Sequence, residues 1–66
     1  MSDRPFGIQD CTFHVEWSDE DNEWVGCVTE FPSLSFLHPD PARALWGIAG
    51  VTMGVLADLA EEASAE

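Results

Sequence analysis

An alternation near the start of the chain constrains its architecture most. Over residues 11–17 the apolar side chains Cys11, Phe13, Val15 and Trp17 alternate with Thr12, His14 and Glu16, the period-2 pattern of a strand with one buried face. Ser18, Asp19, Glu20, Asp21 and Asn22 then read as a turn, because Asn tolerates left-handed backbone and the carboxylates discourage unwanted edge pairing. Residues 23–31 read as the returning strand of a β-hairpin. Its segment Trp24, Val25, Gly26, Cys27 and Val28 is apolar on both faces, so it is expected at the centre of a sheet, with a helix on one side and something else on the other. Periodicity leaves open which of its faces meets the helix.

The remaining segments complete a simple topology. Phe31, Pro32 and Ser33 break the second strand, and Leu34, Ser35, Phe36 and Leu37 suit a short third strand returning antiparallel to it. His38, Pro39, Asp40 and Pro41 stop the sheet, with Asp40 placed to cap a helix and Pro41 to open it, where a missing amide proton costs nothing. The helix is expected over residues 41–62 and a frayed tail over 63–66, since Glu61 and Glu62 stand near the negative end of the helix dipole. Residues 1–9, with Pro5 and Gly7, are either a flexible leader or a short edge segment anchored by Phe6 and Ile8. The expected fold is α+β: one domain, a three-stranded antiparallel sheet in β-β-β-α order with one long C-terminal helix packed on it.

A chain of 66 residues lies near the lower limit of independent folding, burying only about 60% of its unfolded surface. Small chains pass that limit with disulfides, a structural metal or oligomerisation. Cys11 and Cys27 fall on strands expected to be neighbours, which leaves a cross-strand disulfide open. In a chain with no signal peptide, two reduced core thiols of a cytoplasmic protein are the stronger reading. Oligomerisation, as a homodimer or larger, is then the expected route to stability.

Thirteen carboxylates against Arg4 and Arg43 give a net charge of -11. That balance makes direct nucleic-acid binding electrostatically unfavourable. It suits a basic protein partner steered by Glu16, Asp19, Glu20, Asp21, Glu23 and Glu30 on and beside the hairpin, although an acidic surface also serves solubility alone. A membrane role is not expected, because the uncharged run over residues 44–57 has fourteen residues, short of the about twenty that span a bilayer.

Stepping 100° per residue separates two faces of the helix. Leu45, Ile48, Ala49, Thr52, Val55, Leu56 and Leu59 form a stripe expected to lie on the sheet. Nearly opposite lie Gly47, Gly50, Gly54 and Ala57, flanked by Trp46 and Met53. Each glycine costs a helix about 1 kcal/mol relative to alanine, so a packing reason is expected: small residues let a second backbone approach, and Trp46 and Met53 supply apolar contact area. This face is the expected subunit or partner interface.

Catalytic chemistry finds no support. His14 and His38 are the only imidazoles, and nothing in their spacing brings them to Glu16 or Asp40, as a metal site or general base would need. Two surface or packing histidines are expected. Asp19, Asp21, Glu23 and Glu30 match positions 1, 3, 5 and 12 of an EF-hand-like calcium loop. The sixth position, however, is Trp24 instead of glycine, and the flanks read as strands. Ser18, Ser33, Ser35 and Ser64 lack a nucleophile elbow, and neither a phosphate loop nor a CxxC pair is present. No catalytic residue, cofactor or metal ligand is expected, and the chain reads as non-enzymatic.

Taken in order, the strand, the acidic turn with its aromatic (Asp19, Glu20, Asp21, Asn22, Glu23, Trp24), the Glu30, Phe31, Pro32, Ser33 corner and the Pro41, Ala42, Arg43, Ala44, Leu45 helix start resemble the HicB-like antitoxin family over roughly residues 10–60. Asn22, Thr29 and Ser33 replace that family's usual glycine, proline and glycine, and Ala42 and Arg43 replace a Glu-Glu pair. The resemblance implies a partial ribonuclease-H-like fold that covers the RNA-cleaving surface of a small basic HicA-type toxin. It lends no catalytic residue. A stand-alone homo-oligomeric structural or regulatory protein without a toxin partner is the alternative expectation.

Overall fold

The structure, a computed structural model, describes residues 6–64. Strands β1 (Phe13–Ser18), β2 (Glu23–Val28) and β3 (Ser35–His38) precede one long helix, α1 (Pro41–Ser64). The sheet is antiparallel in the order β1-β2-β3. The α+β architecture expected from the sequence is therefore the one observed, with β2 at the centre. Residues 1–5 of the expected leader lie outside the described residues. Of the remainder, Ile8–Asp10 is a 3-10 turn, not an edge strand, closed by the Asp10 N–H donating to the Gly7 carbonyl at 2.9 Å. Phe6 meets Phe31 edge to face, with ring centroids 6.3 Å apart.

The acidic turn closes as its composition dictates. Asn22 takes a φ of 56°, the left-handed region that Asn enters more readily than most residues. Ser18 then pairs with Glu23, and this register carries through to Phe13 opposite Val28. The second strand stops at Val28, three residues before the expected Phe31. Thr29 and Glu30 turn away, and the Phe31 N–H donates to the Val28 carbonyl at 3.2 Å. At the helix start, Asp40 Oδ1 accepts the Ala42 N–H at 2.9 Å, satisfying an amide that has no partner within the helix.

Gly26 decides which face of β2 meets the helix. A Cβ built there would run into the Ala44 carbonyl oxygen and lie 2.9 Å from Ile48 Cγ2, so Gly26 and, by alternation, Trp24 and Val28 face α1. Val25 and Cys27 belong to the other face. The helix consequently sits rolled toward Ala44 and Gly47. Its fully buried line is Ala44, Ile48 and Thr52, while Leu45, expected on the sheet, is 37% exposed. Thr52 is a buried hydroxyl kept satisfied by donating to the Ile48 carbonyl at 2.8 Å.

Among the described residues only Val28, Ala44 and Ile48 are fully buried apolar side chains. The molecule measures 43 × 26 × 16 Å, with a radius of gyration of 13.6 Å against about 11 Å for a compact chain of this length. The excess comes from α1, whose 24 residues extend about 36 Å, whereas the six-residue strands extend about 20 Å. Its last turns overhang the sheet, and Leu59 is 49% exposed.

Candidate functional site

Among the described residues, three surfaces present side chains without a covering layer. The first is the back of α1. Gly50 and Gly54 have nothing within 4 Å of the position a Cβ would take, Ala57 is exposed, and Trp46 and Met53 are 78% and 55% exposed. Gly47 does not belong with them. A Cβ there would strike the Phe36 ring, 2.6 Å from its Cγ, so its smallness serves the packing of α1 on β3 and not an outer interface. Beside this face a shallow groove of about 240 Å³ is lined by Asp40, Ala42, Arg43 and Trp46. By length and composition the stretch Pro41–Glu62 would also suffice to cross a bilayer. The sheet already occupies its Ala44, Ile48 and Thr52 line, which leaves a lateral apolar stripe.

The second surface is acidic, and the structure divides what the sequence groups together. Asp19, Glu20 and Asp21 form the hairpin tip, where Asp19 accepts the Trp17 indole N–H at 2.7 Å and Asp21 accepts the Ser18 hydroxyl at 3.0 Å. Glu23 follows directly, opposite Ser18. Behind the tip, Trp17 and Trp24 pack edge to face at 5.4 Å. Glu30 sits at the far end of β2, about 20 Å away. There its carboxylate accepts the Thr12 N–H at 2.7 Å and the Thr12 hydroxyl at 3.1 Å. The backbone bond from Thr12 holds the Glu30 carboxyl below the usual carboxylate range.

The third surface is the sheet face turned away from α1, and it carries Glu16. His14 lies directly opposite Cys27, and Glu16 opposite Val25, which in turn faces Leu37. His14 Nε2 is 3.9 Å from Glu16 Oε2, and the Cys27 thiol donates to that same oxygen at 3.6 Å. Burial, the bond to Glu16 and that residue's charge raise the Cys27 thiol above its ordinary value. His38 is on the opposite, helix-facing side, where its Nδ1 accepts the Asp40 N–H at 3.0 Å. The two imidazoles therefore do not converge.

Cys11 and Cys27 are both free. Cys11 precedes β1, Cys27 is paired with His14, and the Cys11 thiol donates to the Gly7 carbonyl at 3.7 Å. Neighbouring strands thus give no disulfide here. The His14, Glu16 and Cys27 cluster went unseen in the sequence, yet counting back from the turn, which sets 18 against 23, pairs 14 with 27. Comparisons with protein-family models, curated proteins and solved structures find no match.

Proposed function

We propose that this chain is a non-enzymatic protein-binding module that works in the manner of a HicB-like antitoxin, docking on a small basic protein of the RNA-cleaving toxin type. The supporting observation is the ratio of covered to bare apolar surface. Among the described residues three apolar side chains are fully buried, while Trp46, Met53, Leu59, Phe6 and Trp17 are all at least 46% exposed. A domain so thinly cored leaves apolar surface for a partner to cover. Arg43 is the only Lys or Arg among the described residues, and the acidic tip stands at one end. Charge thus suits a basic partner approaching by the hairpin.

A second reading is a homo-oligomer joined through the back of α1. The empty space over Gly50 and Gly54, beside Trp46 and Met53, favours it, because a second helix can approach there to backbone distance. A tagged pull-down from the native lysate separates the two. A stoichiometric small basic protein in the eluate is the expected result. Recovery of this chain alone, as a dimer or larger, would replace the toxin-binding reading with the second.

A further inference from the structure

We propose that His14, Glu16 and Cys27 form a zinc site on the open face of the sheet, with three protein ligands and a fourth position left to water. Imidazole nitrogen, carboxylate oxygen and cysteine sulfur are the three ligand types zinc takes from proteins, and a thiolate beside an imidazole selects zinc over calcium or magnesium. Each of these side chains can bind in one geometry only if the backbone brings the three together, and the hairpin does so. His14 and Cys27 are direct cross-strand partners, and Glu16 lies two residues along from His14 on the same face.

The three ligand atoms lie within 4.8 Å of one another, with Glu16 Oε2 at 3.9 Å from His14 Nε2 and 3.6 Å from Cys27 Sγ. Around one tetrahedral ion, bonds of about 2.0–2.3 Å set such atoms about 3.3–3.6 Å apart. The widest separation exceeds that spacing by about 1 Å, and this is the adjustment that binding asks of the three side chains. His14 and Glu16 are 50% and 65% exposed, so an ion reaches the site without any opening of the fold. Ligation releases the Cys27 thiol proton, now shared with Glu16 Oε2, to solvent. The zinc measurement needs only the isolated chain, so its outcome is separate from whether a protein partner is found.

The test uses the full chain, fully reduced. Zinc titrated by calorimetry should bind at one ion per chain with a micromolar or tighter dissociation constant, unaffected by an excess of magnesium or calcium. Cobalt in its place should give the near-ultraviolet thiolate-to-metal band of sulfur ligation. Cys27→Ser should abolish that band and Cys11→Ser should leave it. His14→Ala and Glu16→Gln should each weaken zinc binding at least tenfold, with circular dichroism confirming that the variants fold. Zinc binding that is unchanged in His14→Ala and Cys27→Ser would mean diffuse attachment to the carboxylate surface and would overturn the site. So would a cobalt band that follows Cys11, or no saturable binding below millimolar zinc.

Discussion

A methyl group added at Gly26 would meet the Ala44 carbonyl oxygen and the Ile48 side chain, whereas one added at Gly50 would meet nothing. The two positions therefore respond in opposite directions. Gly26→Ala should destabilise the fold by about 1–3 kcal/mol, because a backbone oxygen cannot rotate aside. Gly50→Ala should stabilise the isolated chain by up to about 1 kcal/mol through helix propensity. Chemical denaturation of the two variants beside the parent reads both signs. Glu30 yields a pH prediction. Its folded-state pKa is lowered by the Thr12 hydrogen bonds, so the stability it brings is complete above the unfolded carboxyl value of about 4.3. That stability is lost as pH falls through the lower folded value. In Glu30→Gln the denaturation midpoint should accordingly fall less between neutral pH and pH 3 than it does in the parent. The turn at Asn22 and the cap at Asp40 were legible residue by residue, since each follows from the chemistry of one side chain. The roles of Gly26 and Gly47 were not, because what a glycine spares depends on an element distant in sequence.

Strands and helix were legible as elements because alternation, the acidic turn and the Asp40-Pro41 start are local signals. The roll of α1 was not. Hydrophobicity centres the buried stripe on Leu45 and Ile48; Ile48 is buried as expected, but closeness of approach over Gly26 and Phe36 brings in Ala44 and Gly47 in place of Leu45. Smallness prevailed over apolarity there. The same helix should exchange its amides unevenly. Protection should be greatest around Ala44, Ile48 and Thr52, which the sheet covers, and should fall away over residues 57–62, which are exposed throughout. Hydrogen exchange followed by mass spectrometry or NMR checks this; uniform protection to the end of α1 in the isolated chain would mean the overhang is covered. Gly50→Leu or Gly54→Leu should raise helix propensity yet reduce self-association, the side chain filling the space a second backbone would use. Sedimentation measures the second effect separately from the first.

At the scale of the whole molecule, a slab 16 Å thick with three fully buried apolar side chains among its described residues should not remain monomeric. At micromolar concentration light scattering should give at least a dimer, and a stable folded species of 7.3 kDa would count against that. The acidic tip should set the rate of meeting a basic partner. As salt rises and the screening length shrinks from about 30 to about 8 Å, association should slow steeply while dissociation changes little. Neutralising Asp19, Glu20 and Asp21 together should reproduce the slow rate at low salt without unfolding the chain, since exposed charges in a turn add little stability. Stopped-flow mixing reads this, and an unchanged rate would move the contact to Trp46 and Met53.

The overhang of α1 can also be seen as mechanics. The helix is a cantilever, clamped where Ala44 and Ile48 bear on Gly26 and Gly47 bears on Phe36, and free over its last turns. A load applied at the free end is not absorbed along the way, because a hydrogen-bonded helix is stiff over this length. It arrives as torque at the clamp, where the strand beneath is β2, the one strand bonded on both sides. Whatever grips the far end of α1 thus pulls on the centre of the sheet, including the register that holds His14 opposite Cys27.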